Sequence, residues 1–152
     1  MKFIDLISIF LLMVVSGGWI AVCAVFAPAY KKMSAATYIE AEVLNSKRAC
    51  KHFAPALILA ALATLLSMLV HGDMSSPAYY LSGTSALLLI IAGIFVKLKV
   101  LTINHEIEKW SPADPPANWQ DIRATWIHYH SLRTVLGVAA FALQAIAIIW
   151  WY

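Results

Sequence analysis

The sequence predicts an all-α fold, an integral membrane four-helix bundle with helical extensions on its cytoplasmic side. Three observations carry that prediction. The 152-residue chain is 62% hydrophobic and only 12% charged, with a mean hydropathy of +0.77, which places it in the membrane class. Four runs, 6–30, 53–70, 74–96 and 134–152, contain no Asp, Glu, Lys, Arg or His. Each is close to the roughly 20 residues that cross about 30 Å of hydrocarbon at about 1.5 Å per residue. The basic residues are segregated as well. With four spans, Lys31, Lys32, Lys47, Arg48, Lys51, Lys97, Lys99, Lys109, Arg123 and Arg133 fall on the side of loops 1 and 3, and only Lys2 on the side of the termini. The positive-inside rule then puts loops 1 and 3 in the cytoplasm and both termini outside the inner (cell) membrane.

The first span is expected at about residues 4–28. The run is much longer than the 7–15 or so apolar residues of a cleaved leader, so it reads as a retained helix. Ser16, Gly17 and Gly18 in its middle would let a second helix approach closely, and Pro28, which has no N–H to donate, is expected to end it. Cys23 and Cys50 are the only cysteines and read as small buried hydrophobes rather than a disulfide or a metal site.

Loop 1 does not read as plain loop. Thr37 with Glu40 three residues on is a capping-box pattern, so a helix is expected to start near Tyr38 and run into a second span at about 50–70. On it Asn45, Arg48 and His52 lie at i, i+3 and i+7. Asn45 and Arg48 read as solvated. His52, immediately before Phe53-Ala54-Pro55, sits where the membrane begins and is a candidate for an interior site. His71-Gly72-Asp73 opens a short outer turn, with His71 read as an interfacial polar residue without a special task.

The third span, about 78–102, is expected to protrude some two turns into the cytoplasm, because its apolar periodicity continues through Val96, Val100, Ile103, Ile107 and Trp110. Gly93, Lys97, Asn104 and Glu108 fall on another face, where Lys97 can snorkel. The Pro-rich stretch 111–118 breaks the chain. Asn118 is then expected to cap a fourth span at about 122–150, with Asp121 favoured by the positive end of the helix dipole. Tyr79, Tyr80, Trp150, Trp151 and Tyr152 form an aromatic belt at the outer interface. Without repeats or a second domain, residues 1–152 read as a single unit.

One stripe of the fourth span demands explanation. Trp126, His130 and Arg133 lie at i, i+4 and i+7, and the same face continues through Gly137, Phe141 and Gln144. Unpartnered polar groups in hydrocarbon cost several kcal/mol each, so this stripe must face other helices or a cavity. His52, Asn104, His105, Glu106 and His128 lie near the same cytoplasmic ends. The basic residues flank spans and leave no patch suited to nucleic acid.

Thr102-Ile103-Asn104 followed by Ile107 and Trp110, then Trp126, His130, Arg133-Thr134, Gly137 and Ala140-Phe141, resembles the pattern of the anthrone-oxygenase-like family of small four-span membrane proteins. The helix 1 glycines and Pro28-Ala29 are similar too. The resemblance implies an oxygenase that carries an anthrone-type enolisable ketone to the quinone with dioxygen and no cofactor. A base near neutrality and a donor to the enolate oxygen are needed. The implied catalytic groups are His130 as base with Asn104 and Arg133 stabilising the anion, and the candidate substrate contacts are Trp126, as a stacking surface, Trp110, His52 and Gln144. The expected partners are an apolar small molecule and the lipid bilayer, with a homo-oligomer open.

Two other readings stand beside it. A metal-dependent oxidoreductase would bind a transition metal through His52 and His130, with His105, His128 and Glu106 as further candidates. His128 and His130, however, diverge by about 200° around the helix axis. In a non-catalytic ligand-binding or structural bundle, Asn104, His130 and Arg133 would only tie helices 3 and 4 together.

Overall fold

The computed structural model describes residues 2–151 and is helical throughout apart from the connections. Four helices, α1 (Phe3–Lys31), α2 (Ala35–His71), α3 (Pro77–Ile107) and α4 (Trp119–Trp151), are each long and apolar enough to cross a membrane. The chain is therefore a multi-pass membrane protein by length and composition. Each helix packs on its sequence neighbour, and α4 closes the bundle against α1. Large apolar side chains such as Phe10, Ile58, Leu62, Leu87, Ile94 and Val135 point outward. That outward face suits lipid, whereas a soluble bundle would turn it inward.

Small residues set the interhelical distances. A Cβ on Gly18 would collide with the Phe53 ring of α2, and one on Gly137 would come within 2.7 Å of the Trp19 ring of α1. Ser16 Oγ donates to the Gly137 carbonyl at 2.9 Å, so close approach also satisfies a buried hydroxyl. Leu12, Val15, Trp19, Ala60, Leu89, Ala92 and Ala140 form the core at mid-bundle.

Several boundaries differ from the sequence expectation. α2 begins three residues earlier than expected, with Ser34 as the cap: its Oγ accepts from the Thr37 N–H at 3.4 Å, so Thr37 lies inside the helix. Pro28 does not end α1, which continues to Lys31. A π-helical turn over Val22–Phe26 precedes it, and the wider coil accommodates a residue that cannot donate to the usual ladder. The regular helix of α3 ends at Ile107, so Trp110 lies beyond it. A second π turn, Val96–Val100, interrupts α3. Its extra residue rotates everything that follows by about 100°. Asn104 thereby turns inward with Ile103 and Ile107 while Lys97 stays exposed, which splits a face the sequence placed together.

At the end that carries the termini, Gly72 closes α2 in the left-handed conformation, φ 65°, a conformation glycine adopts without cost. The Ser75 side chain and backbone N–H hold the Asp73 carboxyl below the usual carboxylate range. Of the expected aromatic belt, Tyr80 and Trp150 are exposed and Tyr79 and Trp151 half-buried; Tyr152 lies outside the described residues. His71 is not an idle interfacial residue. Its Nε2 lies 3.1 Å from Oδ2 of Asp5, which is 0% exposed, and its ring stacks on Trp151 at 3.8 Å. Ser67 donates to the other Asp5 oxygen at 2.6 Å.

Candidate functional site

The polar residues of the opposite end, where loops 1 and 3 lie, assemble around Trp126. Tyr30, Tyr38, Ile39, Ile103, Ile107 and Trp126 form a second buried cluster, with Trp110 and Tyr129 packed against it. Arg123 fastens α1 there: its Nη1 donates to the carbonyls of Tyr30, at 2.7 Å, and Met33, at 3.2 Å. Carbonyls at a helix C-terminus lack intrahelical partners, and a cation satisfies both their lone pairs and the dipole. The same guanidinium lies over the Trp119 ring at 4.5 Å.

Trp126 is 3% exposed, and its Nε1–H is shared. It donates to Asn104 Oδ1 on α3 at 2.9 Å and to Glu42 Oε1 on α2 at 3.1 Å. The bond to Asn104 fixes the amide orientation, because Oδ1 must face the indole and the NH2 must point elsewhere. His130, one turn on, stacks on Trp126 with ring centroids 3.7 Å apart. It is 4% exposed, and neither Nδ1 nor Nε2 has a hydrogen-bond partner. Arg133 continues the face; its Nε is likewise unpartnered, and its guanidinium lies over the Trp19 ring at 5.2 Å. Buried polar atoms are nearly always satisfied. Two imidazole nitrogens and a guanidinium N–H are thus left open on adjacent turns of α4, and the Tyr38 hydroxyl, Thr64 Oγ1 and Trp151 Nε1 are open elsewhere in the bundle.

Of the residues expected from the sequence, Asn104, Trp126, His130 and Arg133 are brought to this cluster, and Trp110 lies against its edge. His52 is exposed and takes no part: it flanks the buried stripe Tyr38, Glu42 and Ser46 of α2 without belonging to it. His105, Glu106 and His128 are exposed too, so His52 and His130 share no ligand sphere. Among the described residues no three His, Cys, Asp or Glu side chains converge in a way that could hold a metal ion. Gln144 is elsewhere. Its amide donates to Ser8 at 3.1 Å and Ser67 at 3.3 Å and accepts from Ser82 at 2.8 Å, a bonded link between helices near the terminal end rather than a substrate contact. Trp126 does not offer a free stacking face either, since His130 covers it and Tyr30 packs against it at 5.4 Å.

Glu42 was not anticipated from the sequence, nor was Asn45, whose Nδ2 donates to the Tyr30 hydroxyl at 2.8 Å. The signal was there. Tyr38, Glu42 and Ser46 recur at i, i+4 and i+8, a buried stripe adjacent to the Asn45–His52 face. Outside the cluster, a groove of about 330 Å³ runs between α3 and α4, lined by Leu98, Thr102, Ile103, Thr125 and Tyr129 among others. Ile103 separates it from Trp126, since it belongs to both linings.

The fold and this cluster define a class: a small four-span membrane bundle with a water-poor polar site between its helices at one end. A family model described as anthrone oxygenase matches residues 44–143, and the chain belongs to that family. No curated protein and no solved structure matches it.

Proposed function

We propose that the protein oxidises an enolisable aromatic ketone of the anthrone type with dioxygen, using His130 as the base. Membership of the family supports the reaction class. The observation that carries the assignment of roles is the pair of unpartnered nitrogens on buried His130, beside an Asn104 amide whose NH2 is free to donate. A neutral imidazole has one lone pair and one N–H. The lone pair takes a proton from the methylene opposite the ketone, leaving an enolate. Asn104 and Arg133 donate to the enolate oxygen. The electron-rich carbon then reduces dioxygen and bonds to it, and the proton returns from His130 to the resulting peroxide; the remaining C–H bond of the former methylene breaks together with the O–O bond, its proton joining the departing hydroxide. One oxygen atom becomes the second carbonyl and the other leaves as water, which balances the conversion of CH2 and O2 to C=O and H2O. The groove between α3 and α4 is the route by which an apolar substrate reaches the cluster past Ile103.

The test uses purified protein in lipid nanodiscs supplied with an anthrone under 18O2. The expected outcome is a quinone carrying one labelled oxygen, formed at the same rate with and without a chelator. Activity that disappears with a released, stoichiometric metal would refute the assignment.

The ten-to-one bias of basic residues supports an orientation with loops 1 and 3 in the cytoplasm and the termini outside. A reporter active only outside the cytoplasm should therefore give signal when fused to Tyr152 and none within 111–118. The opposite pattern would overturn the orientation.

A further inference from the structure

We propose that Glu42 is the positioning carboxylate of this site, holding Trp126 jointly with Asn104 and supplying the negative charge against which His130 can take up a proton beside Arg133. The inference rests on the reading of His130 as a base and extends it to a residue outside the matched region 44–143.

Charge requires such a group. Once His130 has accepted a proton it is a buried cation one turn from Arg133, and like charges at that spacing disfavour each other. On α4 nothing offsets them: the face holds Trp126, His130, Arg133 and Gly137, with no acid. Among the described residues the only ion pair is His71–Asp5, at the other end of the bundle. Glu42, 2% exposed, is the one carboxyl buried at this level, and it reaches the site through the indole that His130 stacks on. The charged and titratable groups around it are Tyr30 from α1, Tyr38 and Cys50 from α2, Glu108 after α3, and Arg133 from α4. Of these only Arg133 is a cation, and it stands too far off to form a direct ion pair. Burial between a neutral donor and a cation that forms no ion pair with it disfavours the ionised carboxyl, and proton uptake by His130, which stacks on the indole bonded to Glu42, supplies a positive charge that favours the ionised form.

A purely structural Glu42 would act by its hydrogen bond alone, and Glu42→Gln preserves that bond while removing the charge. In nanodiscs, Glu42→Gln should lower kcat for anthrone oxidation by about tenfold or more, with KM within about twofold, and Glu42→Asp should retain more activity than Glu42→Gln. The indole 15N–1H signal of Trp126 should stay in place in Glu42→Gln. In the substrate-free protein the imidazole 15N shifts of His130 should differ between parent and Glu42→Gln, while those of exposed His105 and His128 do not. If the parent turns over anthrone and Glu42→Gln matches it, or if the His130 shifts are unmoved, the role assigned to Glu42 is wrong. If the parent converts no anthrone yet the His130 shifts respond, the electrostatic coupling stands and the proposed reaction falls instead.

Discussion

Replacing His130 with alanine should lower kcat by about 10²–10⁴-fold and leave a folded bundle that extracts normally. The two halves of that expectation come from the same observation. His130 makes no hydrogen bond through either ring nitrogen, so its removal strands no partner, and an unsatisfied buried polar group is itself a cost that the mutation relieves. What is lost structurally is the stack on Trp126, about 0.5–1.5 kcal/mol, together with some packing. A small loss of stability beside a large loss of turnover is the outcome that distinguishes a base from a structural residue. Detergent extraction, thermal unfolding and the anthrone assay on one preparation check it. Unchanged turnover would remove His130 as the base, and collapse of the fold would make the residue structural.

The largest expected effect on stability lies at the other end. His71→Ala should lower the unfolding free energy by about 1–3 kcal/mol, or roughly 2–12 °C in melting temperature, with turnover unaltered at temperatures where the protein is folded. Asp5 is fully buried and takes its polar contacts from Ser67, His71 and the Lys2 backbone N–H, which donates at 2.9 Å. Removing the imidazole deprives the carboxylate of a partner and uncovers Trp151. Adding Asp5→Asn should change the loss non-additively, since the two side chains are in direct contact. Equal melting temperatures for parent and His71→Ala would show that the pair contributes nothing.

The distance between these two sites explains why the polar residues sort as they do. At the terminal end Asp5, Ser8, Ser67, Ser82 and Gln144 bond mainly to one another across the helices, which ties the bundle together. At the loop end His130, Arg133 and Tyr38 keep polar atoms open, as Thr64 and Trp151 do elsewhere in the bundle, and the helices are held there by Trp126, Arg123 and aromatic packing. Stability and the candidate chemistry thus draw on separate sets of side chains. That separation is what lets the two predictions be read independently.

How much could be known in advance depended on the range of the interaction involved. Four charge-free runs sufficed for the four helices, because hydrocarbon leaves a chain few other ways to satisfy its backbone. The 3.6-residue period sufficed for the inward face of Trp126, His130, Gly137 and Gln144, all buried, because it depends on one helix alone. What each of those residues does was decided elsewhere. Gln144 became a link between helices because Ser8, Ser67 and Ser82 happened to surround it. Asn104 became part of the cluster because a π turn four residues earlier rotated it inward. Asp5 with His71, and Glu42 with Trp126, are 66 and 84 residues apart in the chain. Local sequence carries the periodicity of a helix but not the rotation of one helix against another, and a hydrogen bond between two helices exists only once packing has set that rotation.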